Sequence, residues 1–241
     1  MSVHRFCYPD AVQAAEACSH HIQARLEEAL SGRPIASLAI SGGASPRPVF
    51  EQLASSGIAW DRVHLFWVDE RAVPPGDPQS NFGMAEQWLT RPTRIPKRNL
   101  HRIAGELRPD EAARRYSADI QSFFGLALGE MPHFDVIHRG IGADGHTASL
   151  FPGEPLLEDR ENLCAAVWVE KLGQWRITLL PGVLLAARHT VFYATGEEKG
   201  EVVRAILEEP YDPKKYPAQM VSHHGRGVAW FLDAAAARLL G

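Results

Sequence analysis

Cysteine is scarce. The 241 residues hold three, Cys7, Cys18 and Cys164, far apart and never in a C-x-x-C spacing. That argues against a disulfide framework and a thiolate metal site, and for buried or spare thiols. The histidines offer no metal site either. His20–His21 and His223–His224 are adjacent pairs, whose members do not share a face, and no H-E-x-x-H spacing occurs. No stretch approaches the ~18 consecutive apolar residues of a membrane span. The opening MSVHRFCYPDAVQAAEACSHH lacks the apolar core of a secretory leader, so a cytoplasmic protein with no membrane partner is expected. Neither sign of charge dominates: the formal net charge is −4. Nothing in that balance draws the chain to nucleic acid, although a local basic site inside a cleft is compatible with it.

What remains is ordinary globular stock, 45% hydrophobic and 22% charged, enough for a sizeable core. No repeat or low-complexity linker divides it, so one α/β domain over 1–241 is expected. Residues 10–31 read as a helix, with Asp10 placed to cap it. PIASLAIS is a buried-strand pattern, SPRPVFEQLASSG a helix with Ser45 at its cap, and RVHLFWVDE a strand. A Pro-rich loop leads to a helix from about Phe82, and PDEAARRYSADIQSFFG is helical. FDVIHRG, AAVWVE, WRITLL, HTVFYAT and GVAWFLD are strands; EEKGEVVRAIL and DAAAARLL are helices. Such alternation predicts a mostly parallel central sheet with helices on both faces.

In such sheets, sites form at the carboxyl ends of strands. Three strands here end in loops rich in polar chemistry: SGGASP, VDERAVPPGDPQSN and GIGADGHTAS. In the first, Ser41, Gly42, Gly43 and Ala44 precede a helix, the arrangement of a phosphate cradle, though a plain strand-to-helix turn uses the same residues. It is not a Walker loop, because no Gly-Lys-Ser/Thr follows. Arg176 and Lys199 are candidate cations for a phosphate; as surface residues they would be solvated, Lys199 beside Glu197 and Glu198. Asp69 and Arg71 end the second strand, where an acid and a base also form an ordinary ion-paired rim. Ser80 and Asn81 close that loop, with Ser80 a possible helix cap. In the third loop, His146 follows three glycines and precedes what reads as a short helix, HTASLF. A neutral imidazole there suits activation of water, and N–H groups at the helix head suit an oxyanion. A structural histidine bonding the loop backbone is the alternative. Asp144 is close in sequence, but spacing does not say whether it reaches His146.

SGGASPRPVFEQLA, WVDERAVPP with SN downstream, GADGHTASLFPG, RITL, GEEK and GVAWFLDAAAARLL follow one another in the order found in 6-phosphogluconolactonases, and the chain resembles that family over nearly its whole length. The resemblance implies a Rossmann-like fold shared with glucosamine-6-phosphate deaminases. It also implies hydrolysis of 6-phospho-D-glucono-1,5-lactone, a small sugar-phosphate partner, and no metal or organic cofactor. His146 resembles the water-activating base and Arg71 the arginine near the reacting end, with Asp69 and Asp144 beside them. Ser41 to Ala44, Arg176 and Lys199 resemble the phosphate site. A monomer or weak homo-oligomer is expected. One departure stands out: His138 and Arg139 occupy a strand end that is apolar in similar enzymes. The deaminases, by the same resemblance, carry an acid five residues after the histidine; here that position is Phe151.

Overall fold

The computed structural model describes residues 3–43 and 45–241. Its strands are β1 (His4–Tyr8), β2 (Ala36–Ile40), β3 (Val63–Trp67), β4 (Asp69–Arg71), β5 (Leu100–His101), β6 (Val136–Arg139), β7 (Cys164–Val169), β8 (Gln174–Leu179), β9 (His189–Ala194) and β10 (Val228–Asp233). The main sheet runs β1-β10-β9-β6-β2-β3-β5, with every pairing parallel. This is the expected mostly parallel α/β architecture. Central strands of such a sheet are covered on both faces, and β2 and β6 are buried at every position. Each therefore reads as a short run without alternation.

Helix α1 (Ala11–Gly32) starts where Asp10 accepts a hydrogen bond from the Gln13 N–H, as expected. It packs on the sheet with α2 (Arg47–Ala54), whose Phe50 meets the His138 ring edge-on. Ser45 does not cap α2; Pro46 holds the cap position without a side-chain bond, since its ring already sets the φ of the first turn. Ser80 does cap α3 (Asn81–Ala85), accepting from the Gly83 N–H. That helix continues through a π turn (Glu86–Thr90) into α4 (Arg91–Thr93). On the opposite face, α5 (Pro109–Phe124) brings Phe123 and Phe124 against Phe66. After α6 (Pro181–Ala186) and α7 (Gly200–Glu208), α8 (Pro217–His224) reaches the same face, its Ser222 accepting from the Trp230 indole. α9 (Ala234–Ala237) follows the last strand.

The alternation of strand and helix fails around a second sheet: RVHLFWVDE is broken at Val68 into β3 and β4, which enter different sheets, and among the described residues no α-helix separates β6 from β7 or β7 from β8. β7 and β8 follow one another through a short turn at Glu170–Gly173 and form an antiparallel hairpin. β4 adds to it, giving a second sheet of order β4-β8-β7. A strand pair joined by so few residues has no room for a parallel crossover. β1 is a further strand that its sequence does not announce, because it lies at the sheet edge and is largely exposed.

The topology fixes where a site belongs. After β2 the chain builds outward through β3 and β5; after β6 it builds the other way, through β9 and β10. The strand order therefore reverses between β2 and β6, and the loops leaving those two strands part to leave a crevice. One of those loops starts at Ser41 and the other at Gly140.

Candidate active site

A cleft of about 210 Å³ opens at that point, and its wall includes Ser41, Gly42, Asp69, Arg71, His146 and Arg176. Residues 100 or more positions apart in sequence thus share one surface. Ala44 lies outside the described residues. Gly43 adopts φ +95°, a left-handed conformation that turns the loop without strain only in glycine. A Cβ there would stand 4.0 Å from the Arg71 guanidinium, so the cradle loop faces Arg71. Gly42 is tighter: a Cβ would come within 2.1 Å of the Asn81 side chain, which is buried against it.

β4 supplies three consecutive residues with separate tasks. Asp69 is buried and accepts from the Ser149 hydroxyl at 2.6 Å and from the Asn81 amide. Glu70 turns away from the cleft and accepts from the backbone N–H groups of Arg71, Asn81 and Phe82 and from the Ser80 hydroxyl. Burial raises its pKa, against those backbone bonds. It closes the loop 71–80 rather than joining a salt-bridged rim. Arg71 stands in register with Arg176 across the β4–β8 pair, so two guanidiniums lie side by side at the cleft. Burial first, and Arg71 next, hold Arg176 below its ordinary pKa. The Nε atoms of both arginines are buried without a partner among the described residues. Paired, under-satisfied forks of this kind are suited to a doubly charged oxyanion.

His146 faces this basic wall. Its Nδ1 lies 2.6 Å from Asp144 Oδ1, so the contact that spacing left open is made. A carboxylate only accepts, which assigns the proton to Nδ1 and leaves Nε2 as a free lone pair. Burial above all lowers His146 to about 4; Lys199, Arg176 and Arg71 add to that, and Asp69 opposes it. The imidazole is therefore neutral at pH 7, the form that accepts a proton. The glycines before it have a steric reason. A Cβ on Gly142 would fall 1.9 Å from His146 Nδ1, and Gly145 sits at φ +81° against Tyr216.

Two expected features are not formed as the sequence suggested. HTASLF is not a helix. Ala148 takes φ 55°, Ser149 is drawn aside by its bond to Asp69, and Thr147 and Leu150 make an isolated bridge. The N–H of Ser149 donates to Thr178 and that of Leu150 to Thr147, so neither is free for an oxyanion. Lys199 and Asp144 are also not part of the cleft wall. The Lys199 ammonium donates to the Ile141 carbonyl, which is on that wall, and Asp144 lies on the far side of the imidazole, lining a neighbouring crevice. The sequence reading also passed over Ser149 and Lys171, which pairs with Asp144. Ser149 reads as one more small polar residue and Lys171 as a turn cation. Their roles depend on contacts 80 and 27 positions away. Among the described residues no cluster of three or more His, Cys, Asp or Glu is arranged to hold a metal.

A parallel sheet with this cleft at its switch point places the chain among the α/β proteins that bind ligands at the carboxyl ends of their strands. The chain belongs to the glucosamine-6-phosphate isomerases/6-phosphogluconolactonase family, whose model matches residues 9–230. Within it, the human 6-phosphogluconolactonase is 38% identical over 231 residues, 95% of this chain and 86% of that protein. The 6-phosphogluconolactonase of Synechocystis sp. is 36% identical over 217 residues, 89% of each. The crystal structure of 6-phosphogluconolactonase from Thermotoga maritima superposes with a TM-score of 0.84 at 26% identity, covering 96% of this chain and all of that one.

Proposed function

We propose that this chain hydrolyses 6-phospho-D-glucono-1,5-lactone to 6-phospho-D-gluconate in the oxidative pentose phosphate pathway, with His146 as the base. One observation carries the assignment of the base: a neutral imidazole, held by Asp144, opens onto a cleft walled by two arginines. The phosphate is gripped by Ser41–Gly43 and Arg176, with Lys199 adding positive charge from behind the Ile141 carbonyl to which it is bonded, and this places the lactone carbonyl near His146 Nε2. His146 takes a proton from water as the oxygen attacks the carbonyl. Arg71, beside both Arg176 and the glycine loop, stabilises the oxyanion. The imidazolium, steadied by Asp144 and Asp69, then returns the proton to the departing ring oxygen. Water adds across one C–O bond, and no covalent intermediate, metal or cofactor enters the scheme. The same reading treats 1–241 as one domain. It puts the enzyme in the cytoplasm, where charged sugar phosphates are retained, as a monomer or weak homo-oligomer acting on a small molecule.

The other activity in the family's name is answered by Phe151. Opening an amino-sugar ring needs an acid near the ring oxygen, and here an apolar ring lies tilted against His146, centroids 4.2 Å apart. Base-titrated hydrolysis of fresh lactone, corrected for spontaneous opening, should show turnover, and glucosamine-6-phosphate should release no ammonia. His146→Ala should lose roughly 10²–10⁴-fold in rate with little change in KM. Ammonia release without lactonase activity would move the chain to the deaminase side, and a folded, fully active His146→Ala would remove the base assignment.

A further inference from the structure

We propose that Lys171, at the tip of the β7–β8 hairpin, is a positioning residue for His146 that acts by holding the Asp144 carboxylate; the proposal rests on the reading of His146 as the base. Four contacts close a ring between two separate elements. Lys171 Nζ pairs with Asp144 Oδ2. Asp144 Oδ1 takes the His146 Nδ1 proton at 2.6 Å. The imidazole meets the Phe151 ring at a tilt of 34°, with centroids 4.2 Å apart. The Lys171 ammonium lies 4.4 Å from the centre of that same phenyl ring. The hairpin tip thus clasps the loop that carries the base: its Leu172 and the ring of Phe151 line the substrate cleft, while Lys171 and Asp144 meet in the neighbouring crevice behind the imidazole.

The loop needs such a clasp. Gly142 and Gly145 let it fold tightly but add no side chain to pin Asp144. Oδ1 of Asp144 is engaged twice, by the backbone N–H and Nδ1 of His146; among the described residues Oδ2 has Lys171 alone. Without that cation the carboxylate is free to rotate about its last bond, and the imidazole loses the fixed acceptor that aims Nε2 into the cleft. Partners that orient a metal-bound histidine typically matter 10–100-fold to affinity or activity, and an effect of about that order is expected for an oriented base. Their worth to folding is small here, because the ion pair is exposed, with side-chain accessibilities of 51% and 31%.

Lys171 also sets the charge behind the base. His146 is faced by Asp69 and Arg71 from β4, Arg176 from β8 and Lys199 from beyond β9, and by Asp144 on its own loop. Lys171 offsets the pull of Asp144 on an imidazolium. Its removal leaves that pull uncompensated, so His146 should take up its proton at higher pH.

The test is Lys171→Met against Lys171→Arg, whose guanidinium keeps both the carboxylate and the ring contact. For Lys171→Met we expect kcat to fall about tenfold with KM within about twofold. The acid limb of kcat/KM should move up by roughly half to one pH unit, and Tm should stay within about 3 °C. Lys171→Arg should recover most of the rate and restore the limb. The His146 Cε1–H resonance, titrated by NMR in the same variants, should move with the kinetic limb. Wild-type kcat, limb and NMR titration in Lys171→Met would overturn the proposal. Full activity in His146→Ala would instead overturn the base assignment, and the NMR titration would still decide whether Lys171 governs the imidazole.

Discussion

A methyl group at Gly142 would stand 1.9 Å from His146 Nδ1 and 2.6 Å from Asp144 Oδ1, in the middle of the pair. The glycine is there because the two side chains fold back over its backbone. Gly142→Ala should therefore push the imidazole off its acceptor while leaving the core untouched, and a misplacement of about 1 Å costs on the order of 10² in rate. Steady-state kinetics with a thermal melt checks this: kcat falls about 100-fold and Tm barely moves. Gly42 is held by a similar steric demand from Asn81. Residues of this kind were legible as a glycine-rich loop before a histidine. What each glycine avoids was not, since the neighbour of Gly42 is 39 positions away and the fold back at Gly142 is a loop conformation.

Strand β6 carries the departure noted in its sequence, and both residues are buried: His138 is 1% and Arg139 0% exposed. They point to opposite faces. His138 meets Phe50 of α2, and Arg139 lies over Phe192, which stacks on Trp230. None of their side-chain nitrogens has a hydrogen-bond partner among the described residues. Burial lowers Arg139 to about 9, which still leaves it charged at pH 7. An unpaired charge in a sheet centre is a standing cost, and an unbranched apolar side chain of similar length should relieve it. Arg139→Met should raise stability by about 1–4 kcal/mol in urea unfolding; a loss instead would mean that the guanidinium is satisfied in solution by buried water or an anion. The β7–β8 hairpin teaches a different lesson. Its two strands were recognised individually, but their pairing with β4 was not, because antiparallel partners are chosen by contact across the sheet rather than by local pattern.

The molecule as a whole should be acid-labile through its histidines. His138 is lowered by burial to about 3, and His21 and His146, by burial first, to about 4. Unfolded, each binds its proton near 6.5. Between those values the unfolded chain holds more protons, so stability rises with pH, is complete above about 6.5 and is lost as pH falls toward 3. His138 alone accounts for a few kcal/mol of that on an order-of-magnitude basis. His138→Leu should flatten the stability profile between about pH 6.5 and 3, read by urea midpoints across that range. The amino-acid order by itself determined the α/β class, the three polar loops and much of the polar cleft wall, including His146, Arg71, Asp69 and Arg176. Short-range rules suffice there: strand runs, helix caps and glycine turns are written within a few residues. Only the tertiary structure decided that Asp144 reaches His146, that HTASLF is pulled out of a helix by Asp69 and Thr178, and that Arg71 and Arg176 stand side by side. It also decided that Lys171 closes the ring around the imidazole. Most of these join residues far apart in the chain, and a contact of that kind exists only once the sheet order has brought its two ends together.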